Sequence, residues 1–270
     1  MNESLKRLLS GVVYVALLLI ATSYSYTSFY VLFGIFMLIA VYEFCLLVKL
    51  NIIIPFLFGI FTFCLATQFK TTQINDLLLL TATLFVSIKC LHLLFISKKE
   101  KIDTLSKYIY TIGYVIFPFI IITKIHAYNP KIVISIFILI WTNDTFAYIV
   151  GKSIGKHKLL EKISPKKTIE GFIGGMLFSI IAGILISKFY IQPKPNYLYT
   201  SIVIWTISAI IISVFSTLGD LIESKFKRIA AVKDSGNIMP GHGGILDRLD
   251  SIIFVAPFVY LFYQILYYVS

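Results

Sequence analysis

Acidic side chains are scarce in this chain: 13 Asp and Glu among 270 residues, against 24 Lys and Arg. Charged residues of both signs make up only 14%, where a soluble domain carries about 25%. That shortage argues against an ordinary water-soluble domain. Cysteine is limited to Cys45, Cys64 and Cys90, at spacings that fit neither a metal knuckle nor a disulfide framework. All three fall within apolar runs and are expected as buried thiols. Several motifs are missing. GKSIGKHK has the wrong spacing for a phosphate-binding loop and no hydroxyl after its lysine, and GHGGIL ends in leucine, so it is not a dinucleotide fingerprint. There is no serine-centred nucleophile elbow and no zinc-spaced histidine pair; His92 and His126 stand alone and are expected to be packed or interfacial. No internal repeat, low-complexity tract or linker divides the chain.

Apolar side chains are abundant: 58% of residues, with a mean hydropathy of +0.89. They gather in runs of roughly 20 residues, long enough to cross a bilayer core of about 30 Å. Nine such runs cover about 8–23, 26–48, 52–69, 77–96, 108–125, 132–150, 169–188, 199–219 and 252–269. The third and fifth contain Pro55 and Pro118, which a membrane helix tolerates when neighbours satisfy the freed backbone. The first run follows Lys6 and Arg7 and imitates a signal peptide, but no small-x-small site follows, so it reads as a retained helix. The expected fold is all-α: a polytopic membrane protein of about nine transmembrane helices. It forms one integral membrane domain over 1–270, with polar segments at 144–171 and 220–251.

A net charge of +11 would suit nucleic acid, but its distribution points elsewhere. Eighteen of the 24 Lys and Arg fall on alternate flanks: the N-terminus, the Lys49 loop, 97–107, 151–168 and 220–251. Cationic flanks stay cytoplasmic. The N-terminus and the two polar segments are therefore expected inside, with anionic lipid rather than nucleic acid as the neighbour. Lys98, Lys99 and Lys101 need no other explanation.

Five of the acids fall in one window: Asp220, Glu223, Asp234, Asp247 and Asp250. Asp144, in IWTNDTFAY, sits inside the sixth run, where a carboxylate costs at least ~2.5 kcal/mol near the membrane centre and faces a cavity or a partner. Alternating topology brings Asp144, Asp220 and Asp250 to one depth from three runs. Asp220, Glu223 and Lys227 share a helical face, as do Asp247 and Asp250. Convergent hard oxygens near a membrane surface suit Mg²⁺, which leaves positions for phosphate oxygens. The competing reading pairs these acids with Lys225, Lys227, Arg228 and Arg248 as solvated loop charges.

The bases Lys227, Arg228, Lys233 and Arg248 lie among those acids, as a metal–polyphosphate site needs. Gly241, Gly243 and Gly244 allow backbone amides to approach an anion. His242 between them is either a phosphate donor or a turn residue. In GKSIGKHKLLEKISPKKTIEGFIGG, Ser164 and Pro165 read as a helix cap and first position. Lys166 and Lys167 then fall in the first turn, where cations oppose the helix dipole unless an anion binds. Gly171, Gly174 and Gly175 predict close packing of the seventh run. Glu43, in VYEFC, is either a structural hydrogen-bonder or a neighbour of the site.

The stretch ESKFKRIAAVKDSGNIMPGHGGILDRLDS resembles the signature of the phosphatidate cytidylyltransferases, or CDP-diacylglycerol synthases. The likeness rests on Ser224, Lys227, Arg228, Lys233, Asp234, Gly236, Pro240 to Gly244, Asp247, Arg248 and Asp250, and extends to NDTFAYIVGKSIGKH and SPKKTIEGFIGG. It covers about the last half of the chain. It implies that CTP and phosphatidic acid, in a bacterial-type inner membrane, give CDP-diacylglycerol and pyrophosphate at a cytoplasmic-face site. It also implies Mg²⁺ on Asp220 and Asp247, a second cation such as K⁺, and a homodimer. Asp220, Asp247, Lys227, Arg228, Lys233, Asp234 and Arg248 would form the catalytic set. Asp144, Lys166, Lys167, Ser224, His242, Gly243, Gly244 and Asp250 would bind substrate. The alternatives are a CTP-dependent lipid kinase and a secondary transporter; a CDP-alcohol phosphotransferase would carry D-G-x-x-A-R, which is absent.

Overall fold

A computed structural model describes residues 3–68, 72–96, 102–239, 241 and 243–269. The side chains of Lys6 and Arg7, and Lys98, Lys99, Lys101, Pro240 and His242, lie outside the described residues. Helix dominates, because a chain in hydrocarbon must satisfy its backbone hydrogen bonds within each segment. In chain order the helices are α1 (Glu3–Tyr24), α2 (Tyr26–Val48), α3 (Ile53–Gln68), α4 (Gln73–Phe95), α5 (Thr104–Tyr110), α6 (Phe117–Tyr128), α7 (Pro130–Ile154), α8 (Ile169–Leu185), α9 (Leu198–Ile229) and α10 (Leu246–Val269). A π-helical turn, Thr111–Ile116, joins α5 to α6 in one span, Thr104–Tyr128. Among the described residues, seven spans are long and apolar enough to cross a bilayer, and the shorter apolar helices Leu9–Tyr24 and Ile53–Gln68 complete the nine expected runs.

Pro55 and Pro118 sit where a missing N–H matters least. Pro55 occupies the first turn of α3. Pro118 follows the π-helical turn, which shifts the hydrogen-bond ladder just before it. Sequence-local caps fix other boundaries: Ser25 and Ser28 form a capping box on α2, and Asp103 and Asn129 cap α5 and α7.

Contacts at the two ends of the bundle agree with alternating spans. At one end Glu43 of α2 meets the start of α10, Lys107 Nζ meets Lys49 O, and Lys225 Nζ meets Ile96 O at 2.7 Å. At the other, His126 Nε2 meets Thr22 O, Lys124 pairs with Asp76 at 2.7 Å, and Lys131 Nζ meets Tyr190 O. Between them lies one apolar core that includes Phe33, Phe44, Tyr114, Phe119, Phe226 and Phe254. Apolar side chains such as Val12, Leu57, Leu78, Phe85 and Ile181 point outward, as a lipid-facing surface requires.

α7, α8 and α9 pack closely through their small residues. A Cβ on Gly171 would stand 2.6 Å from Ala147 O, and one on Gly175 would stand 2.6 Å from Asn143 O. Ser179 Oγ donates to Leu139 O across the same contact. Gly219 of α9 takes the backbone of α10, where a Cβ would stand 2.8 Å from Asp250 O.

Three expectations are corrected. Ser164 and Pro165 do not begin a helix; Ser164–Thr168 is strand β2, antiparallel to β1 (Lys158–Leu160). The cap of α8 is Thr168, whose hydroxyl accepts from Gly171 N at 3.1 Å. Lys166 and Lys167 therefore lie on a hairpin strand ahead of α8, not in its first turn. The run expected to end near 219 continues as helix to Ile229, so Asp220, Glu223 and Lys227 share a helical face as their spacing predicts, and Arg228 is helical with them. Cys45 and Cys90 are buried, but Cys64 is exposed on α3.

Candidate functional site

The packing of α9 on α10 brings three carboxylates together. One oxygen each from Asp220, Glu223 and Asp250 lies within 4.8 Å of the others, the only such acidic group among the described residues. Asp220 and Glu223 are one turn apart on α9, and Gly219 lets α10 carry Asp250 against them. Glu223 and Asp250 are 2% and 9% exposed. Glu223 Oε1 is buried with no hydrogen-bond partner. Acids this close repel unless a cation or proton intervenes.

Two lysines flank the cluster. Lys227 Nζ sits 2.6 Å from Glu223 Oε2 and 2.7 Å from Asp247 Oδ1. Lys167 Nζ reaches from β2 to Asp220 Oδ2 at 2.6 Å. Asp220 Oδ1 also accepts from Ser224 Oγ. Asp247, the other aspartate that the resemblance gives to metal, is fully engaged. Its Oδ1 faces Lys227, and its Oδ2 accepts from Ser235 N, Ser235 Oγ and Gly244 N at 2.8–2.9 Å.

The glycine loop thus wraps anions that belong to the protein. Gly241 and Gly243 have φ of 75° and 85°, where a side chain would be strained. Gly244 gives its N–H to Asp247, and a Cβ on it would lie 2.6 Å from Glu43 Cδ.

Three cavities open around the cluster. The largest, ≈ 610 Å³, lies among α7, α8 and the hairpin; Lys152, Lys158, Lys166 and Lys167 line it with Asp144 and Asp220. A second, ≈ 230 Å³, is bounded by Tyr14 of α1, Trp141 of α7, and Asp247, Arg248 and Asp250 of α10. Asp144 lines both, so it stands between them. A third, ≈ 480 Å³, is the cup of the glycine loop, with Lys233, Asp234, Asn237, Gly243 and Arg248. Arg248 and Met239 separate it from the second. Arg228 lines none of these three cavities; its Nε donates to Ile163 O and ties the hairpin to α9. Asn143, 1% exposed, bridges α7 and α9 through Ser216 and Thr217.

Sequence reasoning passed over Lys152 and Lys158 as site residues, because positive-inside charge already accounted for them. Tyr14 carried no signal at all. Ser235, an unspecified position of the signature, supplies two donors to Asp247.

Residues 5–266 match the family model described as "Cytidylyltransferase family". The chain is 33% identical over 268 residues to the phosphatidate cytidylyltransferase of Bacillus subtilis, covering 96% of this chain and 97% of that relative. Shorter matches join it to proteins of the same name in two staphylococci. In Staphylococcus epidermidis the match is 44% over 147 residues, spanning 54% of each chain. In Staphylococcus haemolyticus it is 53% over 123 residues, spanning 45% of this chain and 44% of the relative.

Proposed function

The chain belongs to the cytidylyltransferase family, and from that membership we propose that it is a phosphatidate cytidylyltransferase. It transfers the CMP moiety of CTP to phosphatidate, giving CDP-diacylglycerol and pyrophosphate. The observation that carries the reading is that the signature residues Asp247, Arg248 and Asp250 border one cavity and the hairpin lysines a neighbouring one, with Asp144 lining both, at one end of a membrane bundle. A lipid phosphate and a water-soluble nucleotide can meet there.

A phosphate oxygen of phosphatidate forms a bond to the α-phosphorus of CTP as the bond to the bridging oxygen of the leaving pyrophosphate breaks. Both reactants are anions, so placement and charge neutralisation do most of the work. Lys166 and Lys167, with Lys152 and Lys158, bind the lipid phosphate in the largest cavity, where Tyr148, Leu159 and Phe172 supply apolar rim. Lys233 and Arg248 bind the nucleotide phosphates at the loop cup. Asp234 orients those groups, Ser224 holds Asp220 through its hydroxyl, and the loop backbone at Gly243 and Gly244 shapes the cup.

The acid cluster fits a divalent ion: hard oxygens within 4.8 Å, with Glu223 Oε1 buried and unpartnered. Asp220, Glu223 and Asp250 would hold Mg²⁺, which when bound supplies Lewis-acid neutralisation of phosphate oxygens. Asp247 joins that shell only when its pair with Lys227 opens. The resemblance also supports a second cation such as K⁺, a homodimer, and a site on the cytoplasmic face of a bacterial-type inner membrane.

The test uses purified protein in detergent, with Mg²⁺, phosphatidate and CTP labelled at the α- or γ-phosphate. Label from the α-position alone must pass into the lipid extract. Transfer of γ-label marks a CTP-dependent lipid kinase, and transfer of neither, without a gradient, points to a transporter.

A further inference from the structure

We infer that Glu43, on α2, is a positioning residue for the reaction: it fixes the N-terminus of α10 and thereby the placement of Asp247 and Asp250. The inference rests on the functional reading above. Glu43 is 1% exposed. Its Oε2 accepts from Leu246 N at 2.8 Å, its Oε1 from Ile245 N at 3.1 Å, and Ser235 Oγ lies 3.4 Å from Oε2. These amides belong to the residue that starts α10 and the one before it.

A helix start needs an acceptor for its free amides, and a nearby Ser or Asp normally supplies one. Here Asp247 already takes Gly244 N and Ser235 N. Glu43 comes from a different helix, about 200 residues earlier in the chain. Stability alone is a weak reason to bury a second carboxylate beside Asp247, since desolvated charge is costly. What the arrangement gains is registration. α10 cannot slide or rotate against α2 without breaking two charge-assisted hydrogen bonds. Gly236 and Gly244 pack directly on the carboxylate, so the loop is moulded around it. The hydroxyl of Ser235 lies between Glu43 and Asp247, joining the two carboxylates. Asp250 follows one turn along α10 and meets Asp220 and Glu223.

Glu43 touches none of the three cavities' linings. Its effect must therefore show in how well the acids hold the cation, not in the capture of lipid. The experiment compares wild type with Glu43→Gln and Ser235→Ala, each full-length in detergent. It measures thermal unfolding, kcat, KM for phosphatidate, and the Mg²⁺ concentration for half-maximal turnover. Glu43→Gln keeps the size but turns an N–H towards an N–H. The expected kcat loss is about 10–100-fold, the scale of a ~1 Å misplacement. Half-activation moves to higher Mg²⁺, more than fivefold, while the phosphatidate KM stays within twofold. Ser235→Ala shifts the Mg²⁺ requirement in the same direction. If Glu43→Gln does not fold, Ser235→Ala decides alone. An unmoved Mg²⁺ requirement, whether kcat holds or merely falls with the folded fraction, overturns the inference. Wild-type protein that turns over no CTP would instead overturn the functional reading.

Discussion

Replacing Lys227 by methionine removes one cation from between two carboxylates and leaves the stem nearly unchanged in volume. Lys227 Nζ lies 2.6 Å from Glu223 and 2.7 Å from Asp247, and the three side chains are 13%, 2% and 6% exposed. Water cannot take over the lost role at such burial. Breaking a buried pair by deleting one partner costs about 3–5 kcal/mol, because the other charge stays behind uncompensated. For a chain of this size that lowers the unfolding temperature by roughly 6–20 °C. Adding Glu223→Gln to Lys227→Met removes one of the stranded charges and recovers part of the loss. Thermal unfolding of the single and double variants in one detergent measures both effects. An unchanged unfolding temperature for Lys227→Met, or a double variant weaker than the sum of the singles, would refute the reasoning. The first outcome would mean that Lys227 neutralises substrate rather than these acids.

Other variants separate packing from chemistry. Asp250→Asn retains its backbone contacts with α9 and unfolds near wild type, but its CTP turnover falls at least about 100-fold, the scale for losing a preorganised charge. Asp247→Asn loses turnover too, and near-normal activity there would remove Asp247 from the site. Lys167→Ala breaks a half-exposed pair with Asp220, so stability changes by less than about 1 kcal/mol while KM for phosphatidate rises. Gly175→Val drives a side chain into Asn143 and lowers stability by about 1–3 kcal/mol, seen as earlier unfolding without a change in Mg²⁺ requirement.

The bilayer made much of this fold legible. Hydrocarbon leaves helix as the only satisfied backbone in an apolar run, so run length locates the spans. The glycines of α8 also read correctly, since a small-residue stripe has one use in such a helix. The hairpin was missed because Ser-Pro followed by lysines has the local chemistry of a helix start, whereas Thr168 and the pairing of Lys158 with Thr168 decide the outcome. The extension of α9 was legible only in part: the spacing of Asp220, Glu223 and Lys227 gave them one helical face, but polar residues beyond a span otherwise look like loop, so the span itself was ended near 219. At the site, the spacing placed Asp220 beside Glu223, and Glu43 stood out as a hydrogen-bonder or site neighbour, but its partners could not be named because they lie about 200 residues away. It could not show that Asp247 faces Lys227.

The proposed mechanism requires acids from α9 and α10 to form a divalent-ion site. Mn²⁺ in place of Mg²⁺ reports on that directly, through its paramagnetic resonance spectrum in purified protein with CTP. Wild type should bind Mn²⁺ and lose the free-ion signal, while Asp220→Asn combined with Asp250→Asn should weaken that binding more than tenfold in a protein that still unfolds cooperatively. Equal Mn²⁺ affinity in the two proteins would contradict the account, whatever their activities.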